Sequence, residues 1–360
     1  MNKASLVLED GTAFAGESIG SKGLVVGPLF FDTAVVGYQE IITDPANAGK
    51  ILMLTYPLIG NYGVSEKFNQ SEKAWIKGLV VKEKSKIYSN WQAKDSLDNF
   101  LKQENLVAIA EVDTRTLAVH LREKGEVWAA ISTNGKRKED LIELIRKTKK
   151  GIQRSLIKEI STREIKLIKG KSKIKLGILD LGITRSIVRQ LQNLGPEIII
   201  LPYNSTADKI LQLKVNGLII SSGPEDDPVL GEITTVVKNL IGKIPILGIS
   251  LGSQVLARAL GAKVKQMHLG HHGVNYPIKH PHAGKGEITV QNHSWVIDSD
   301  SLKKIKGVEI IAVNLNDGTV EEFDSKKYKI MAAQYLPESP GFAEVNALLI
   351  KFLQLTKGKK

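Results

Sequence analysis

The 360-residue chain contains no cysteine. That excludes disulfides, thiolate metal sites and a cysteine nucleophile alike. Long apolar runs are missing too: nothing approaches the ~20 consecutive apolar residues of a membrane span. The polar start Met1-Asn2-Lys3 does not look like a signal peptide. A cytoplasmic protein with no membrane partner is expected. Acidic charge is in deficit, with 50 Lys+Arg against 38 Asp+Glu and a net charge of +12. The imbalance is local. Between Lys136 and Lys175 stand 15 Lys/Arg and 5 Asp/Glu, a net +10. Aromatics are scarce, at 6%, and none is interleaved there to stack on bases. No nucleic-acid partner is expected. The segment reads as a solvated helix followed by a basic linker, or as a docking surface for an acidic partner. No Walker loop with its Lys-Ser/Thr occurs, so the chain is not expected to bind ATP itself.

With 42% apolar residues, the chain can bury two domain cores. Residues 1–150 read as an α+β domain. Strand-like runs recur at Ser5–Leu8, Leu24–Val36, Ile51–Thr55 and Gly78–Val81, and helices are capped by Asp95-Ser96 and Asp113. A further helix is predicted over Lys138–Lys149. Residues 151–173 form the basic linker. Residues 174–360 then alternate strand and helix: Ile174–Leu179, Ile187–Leu194, Glu197–Leu201, Ala207–Leu213, Gly217–Ser221 and Ile233–Ile241. A helix over Ala343–Leu355 closes the chain. This half is predicted to be a doubly wound α/β sheet with functional loops at the strand C-termini.

The most informative stretch in that sheet is Pro245-Ile246-Leu247-Gly248-Ile249-Ser250-Leu251-Gly252-Ser253-Gln254. A branched apolar strand runs into a helix with Leu251, Val255, Leu256 and Leu260 on one face, stopped by Gly261. The turn between them is an elbow that lifts Ser250 to the sheet edge beside a helix N-terminus. Three readings are open here. Gly-Ile-Ser-Leu-Gly fits the serine-hydrolase G-x-S-x-G, a strand–helix turn that merely needs small residues, or an amidotransferase elbow whose cysteine is lost.

Further segments appear in order: Ser221-Ser222-Gly223-Pro224, Leu269-Gly270-His271-His272-Gly273-Val274-Asn275, Gln291-Asn292-His293, and Gln334-Tyr335-Leu336-Pro337-Glu338. With the elbow, they resemble the class I glutamine amidotransferase domain, which is flavodoxin-like. The first half carries Leu8-Glu9-Asp10-Gly11, Gly37-Tyr38-Gln39-Glu40, Thr43-Asp44-Pro45, Thr55-Tyr56-Pro57-Leu58-Ile59-Gly60-Asn61, Asp113-Thr114-Arg115 and Leu121-Arg122-Glu123-Lys124-Gly125. Together these resemble the small subunit of carbamoyl-phosphate synthetase, over essentially the whole chain. The resemblance implies a ligase component that hydrolyses glutamine and passes ammonia to a large subunit. That partner uses ATP, magnesium and bicarbonate to make carbamoyl phosphate for arginine and pyrimidine biosynthesis. No cofactor and no metal are expected on this chain.

The departures from the family pattern fall on the chemistry. The resemblance places the nucleophilic cysteine at Ser250, its histidine at Leu336 and the orienting glutamate at Glu338. Ser253 replaces a histidine, Glu225 a glycine and Ala46 a serine that helps bind glutamine. The implied glutamine pocket comprises Gly223, Leu251, Gln254, Asn292, Ser294 and Trp295. Glu225 brings bulk and negative charge to that pocket, so glutamine is expected to bind weakly at best. A serine needs a positioned base, and Leu336 cannot accept a proton. The expectation is therefore a pseudoenzyme. The alternative is an amidase that uses Ser250 with a substitute base. Of the histidines after the elbow, His271, His272 and His293 are expected to be structural or substrate-side, and His280-Pro281-His282 a surface turn. Adjacent histidines point apart on a strand, which disfavours zinc at His268, His271 and His272.

Overall fold

The computed structural model describes residues 3–151, 154–281, 284–339 and 341–357. His282 of the expected turn, and Met1 and Asn2, lie outside them. The chain forms two compact units, residues 1–153 with His268–His272, and residues 154–267 with 273–360.

The first unit strings together β1 (Lys3–Leu8), β2 (Ala13–Gly20), β3 (Leu24–Asp32), β4 (Ile51–Leu54), β5 (Leu58–Ile59), β6 (Gly78–Val80), β7 (Glu83–Lys84), β8 (Val107–Ala110) and β9 (Val127–Ser132). Seven of them close a barrel in the order β1-β2-β8-β6-β4-β3-β9, while β5 pairs with β7. Closure comes from β1, antiparallel to β2 on one side and to β9 on the other, with Ser5 opposite Ser132. It leaves the barrel no open edge. The helices are α1 (Tyr38–Thr43), α2 (Leu97–Gln103), α3 (Thr114–Lys124) and α4 (Lys138–Lys150). Ser96 caps α2 by accepting from the Asn99 amide, and Asp113 caps α3 by accepting from Thr116. α4 buries Leu141 and Ile145 and turns its basic face outward, where Lys149 pairs with Glu9 at 2.7 Å.

The second unit contains α5 (Ile157–Ile160), β10 (Lys166–Ile168), β11 (Lys175–Asp180), α6 (Arg185–Leu194), β12 (Glu197–Pro202), α7 (Ala207–Gln212), β13 (Gly217–Ile220) and α8 (Leu230–Lys238). It continues with β14 (Ile246–Ile249), α9 (Leu251–Leu260), β15 (Val264–His280), β16 (Lys285–Ile297), α10 (Ser299–Lys303), β17 (Glu309–Asn314), β18 (Val320–Ser325), β19 (Ile330–Ala333) and α11 (Ala347–Thr356). The sheet order is β10-β12-β11-β13-β14-β19-β18-β17-β15-β16. Its parallel centre, β12-β11-β13-β14-β19, has the flavodoxin-like order. Every residue of β13 and β14 is buried, as strands covered on both faces require. One core holds Ile210, Ile233, Val237, Val255 and Leu256 from α7, α8 and α9. The other holds Ile187, Leu191, Leu349 and Phe352 from α6 and α11.

The expected linker, 151–173, needs correction. From Arg154 onward it is part of the second unit. β10 adds antiparallel to the outer edge of β12, and α5 buries Ile157 in the core. Asp227 fastens the start of this segment, accepting from Ser155 Oγ at 2.7 Å and from the Ile157 amide at 2.9 Å. Asp180 holds the next stretch through the Thr162 amide, 2.7 Å away. The segment has too few apolar residues for a periodic signal, because an edge strand and one helical turn need little burial.

Candidate functional site

The elbow joins β14 to α9 and is built by two close approaches. A Cβ on Gly252 would stand 2.1 Å from the carbonyl oxygen of Ile220 in the neighbouring strand. One on Gly248 would stand 2.5 Å from the Gly252 oxygen. Only hydrogen fits at either place. Ser250, forced between them, has φ 52° and ψ −111°, a strained conformation for a residue with a Cβ. Its amide donates to Ala333 O at 2.7 Å, which ties the turn to β19. Ser250 itself is buried, and its hydroxyl makes no capping hydrogen bond to α9. Ser253 Oγ instead closes the first turn by donating to Ser250 O at 2.7 Å.

The other two positions that the resemblance gives to the nucleophile's partners, Leu336 and Glu338, belong to different surroundings. Leu336 is buried in the apolar cluster with Tyr335, Leu348 and Leu349, and its amide donates to Val290 O at 2.9 Å. A hydrocarbon there accepts no proton. Its neighbour Tyr335 donates its hydroxyl to Glu322. Burial pushes the Tyr335 phenol well up, so it stays protonated and offers no base. Glu338 is held by Ser186, whose hydroxyl donates to Oε1 at 2.7 Å, and Ser186 Oγ lies 3.1 Å from Thr184 Oγ1. A carboxylate expected to have lost its imidazole is thus engaged by a serine at the start of α6. Ser186 carries no motif signal, since it meets Glu338 across 152 residues of sequence.

Three of the six residues assigned to the glutamine pocket, Gln254, Ser294 and Trp295, meet at one side chain, Glu225. Glu225 Oε2 accepts from the Ser294 amide at 2.7 Å, and Oε1 from the Trp295 amide at 3.3 Å. Gln254 Nε2 donates to Glu225 Oε1 at 2.6 Å and to Trp295 O at 3.0 Å. Gln254 is itself buried on α9. Gly223 follows β13, where a Cβ would lie 2.2 Å from Leu181 O, so position 223 also tolerates no side chain. Leu251 starts α9 with its side chain in the core, and Asn292 is half-buried on β16. Ala46, in contrast, lies in the first unit, in a buried 3-10 turn capped by Asp44.

The histidines do structural work where the contacts show it. His293 is fully buried, with Nε2 2.7 Å from Gln291 Oε1 and Nδ1 3.1 Å from Trp295 O. Gln291 in turn donates to Glu321 at 2.8 Å, as does Asn314. In the first unit, His272 packs on Phe30 with ring centroids 4.6 Å apart and places Nε2 3.3 Å from Glu126. His268 offers its backbone to Gly125, where a Cβ would meet the His268 oxygen at 2.6 Å. His280 ends β15 rather than lying in the turn, and pairs with Glu287 at 2.6 Å. Among the described residues no helix is long and apolar enough to cross a membrane.

Two family models match the chain. Carbamoyl-phosphate synthase small chain, CPSase domain, covers residues 6–131, and glutamine amidotransferase class-I covers 177–355. The chain is similar to the carbamoyl phosphate synthase small chain of Oceanobacillus iheyensis, 38% identical over 361 residues, or 100% of this chain and 98% of the relative. Its similarity to the Aquifex aeolicus carbamoyl phosphate synthase small chain is 37% over 369 residues, covering 99% of each. The pyrimidine-specific small chain of Bacillus subtilis is 35% identical over 354 residues, covering 98% of this chain and 96% of that one.

Proposed function

Since the chain belongs to the carbamoyl phosphate synthase small chain family, we propose that it is a small chain without glutaminase activity. It joins a large chain that makes carbamoyl phosphate from free ammonia, using that partner's own ATP, magnesium and bicarbonate. The observations that carry this reading are a serine, Ser250, on a strained elbow and a leucine, Leu336, buried in a hydrocarbon cluster. The elbow architecture is kept while the proton acceptor is gone. Without a base, a serine hydroxyl is too weak a nucleophile at neutral pH. Losing nucleophile and base together removes about a millionfold in rate. What remains is a scaffold fit for docking.

The same absence weighs against an amidase that uses Ser250. Of the groups beside Leu336, Tyr335 is protonated and bonded to Glu322, and Glu338 is bonded to Ser186. The test is to express the chain with its cognate large chain. The two should co-purify and form carbamoyl phosphate from ammonium ions but not from glutamine. Glutamine-dependent synthesis that disappears with Ser250→Ala would sink the reading. Growth on minimal medium with arginine or with uracil would then tell which biosynthetic pathway the pair supplies.

A further inference from the structure

We propose that Glu225 is a built-in occupant of the glutamine pocket, its carboxylate filling the place where a free amino acid's carboxylate would be held. The inference rests on the pocket assignment above, and adds that binding itself, not only hydrolysis, is blocked. Three donors converge on this one side chain: the Ser294 and Trp295 amides and Gln254 Nε2, at 2.7, 3.3 and 2.6 Å. Two of them are backbone groups on a sheet strand, which cannot turn away to other partners. All three point N–H groups at a carboxylate. The Ser294 and Gln254 contacts, at 2.7 and 2.6 Å, are as short as strong charge-assisted bonds, while the Trp295 contact at 3.3 Å is weaker. Gln254 is locked in place by its second bond, to Trp295 O at 3.0 Å, so its amide points its nitrogen at the carboxylate.

The neighbouring backbone fits the same account. Asp226, the next residue, has φ 58°, a left-handed conformation that a residue with a Cβ rarely adopts. Asp227 then anchors the loop by accepting from Ser155 Oγ and from the Ile157 and Val229 amides. The loop is therefore held in the shape that delivers Glu225 to the donors. A tethered carboxylate acts at an effective concentration of about millimolar or more, so free glutamine must displace it as well as bind. A carboxylate ligand also meets the charge of Glu225 at close range.

Calorimetry with the full chain tests this directly, using L-glutamine and L-glutamate as probes. The wild type should show no saturable binding up to ~10 mM, while Glu225→Gly should bind at least about tenfold more tightly. Glu225→Gln keeps the volume and serves if the glycine variant does not fold. It too should gain affinity, because its amide nitrogen faces a donor. A folded Glu225→Gly chain with no gain in binding overturns the proposal. That result leaves the missing base untouched. Conversely, Ser250-dependent glutaminase activity in the wild type would refute the proposed function and this inference together, because hydrolysis requires glutamine in the pocket, whereas variants that fold and gain no binding refute the inference alone.

Discussion

Restoring the lost groups one at a time should produce nothing, and restoring them together should produce a glutaminase. Ser250→Cys alone places a thiol at a buried elbow without a base. At neutral pH a free thiol is only a few per cent thiolate, and burial lowers that further. Leu336→His alone supplies an imidazole with no competent nucleophile. It also replaces a leucine in the cluster with Tyr335, Leu348 and Leu349. Burying that polar ring costs about 1–3 kcal/mol. That is tolerable against the ~5–15 kcal/mol of a typical domain. Glu225→Gly removes the carboxylate that holds the Ser294, Trp295 and Gln254 donors. Because such groups act as a unit, the gain comes only when all are present. The chain carrying Ser250→Cys, Leu336→His, Glu225→Gly and Ala46→Ser should release glutamate from glutamine at least ~1,000-fold faster than the wild type. Adding Ser186→Ala, which removes the 2.7 Å bond on Glu338, should raise the rate further by releasing that oxygen to orient the new imidazole. A coupled glutamate dehydrogenase assay reads each variant. If Ser250→Cys by itself matched the combined variant, some other group would be supplying the base and the reasoning about Leu336 would be wrong.

Gly252→Ala should destabilise the chain by about 3 kcal/mol or more in urea unfolding, because its Cβ would meet backbone oxygen at 2.1 Å. Gly231→Ala, on α8 with open space around its Cβ, should instead stabilise by about 0.5–1 kcal/mol. Equal responses would mean that the elbow is not tightly packed. Burial raises the Asp180 carboxyl above its ordinary value of 3.8, although the Thr162, Gly182 and Ile183 amides pull it down. The folded state therefore holds this proton more tightly than the unfolded chain does. Relative to Asp180→Asn, wild-type stability should be highest at the acid end and fall as pH rises past 3.8 through the raised value. A difference that grows with pH would reverse the assignment. Asp113→Ala should cost about 1 kcal/mol in thermal unfolding through loss of the α3 cap.

Local chemistry made several features legible in the chain. Apolar runs of four to six residues between glycines gave away the parallel strands, and Ser96 and Asp113 marked the helix starts they do cap. The elbow needed small residues at 248 and 252, and Ser250 and Leu336 stood out as departures from the pattern of the resembled family. Boundaries were looser. The helix predicted over Ile233–Ile241 runs over Leu230–Lys238, and the one predicted from Ala343 starts at Ala347. Backbone hydrogen bonds and caps set such ends more than periodicity does.

What the chain could not disclose is long-range pairing. Barrel closure depends on β1 meeting β9 across more than a hundred residues, and β10 finds its place only at the free edge of β12. The serine on Glu338 and the donors on Glu225 come from segments far apart in sequence. A one-dimensional pattern carries residue type and spacing, so it tells which residue types stand at each position. Which groups they meet is a matter of hydrogen-bond geometry, and folding alone brings those atoms within reach.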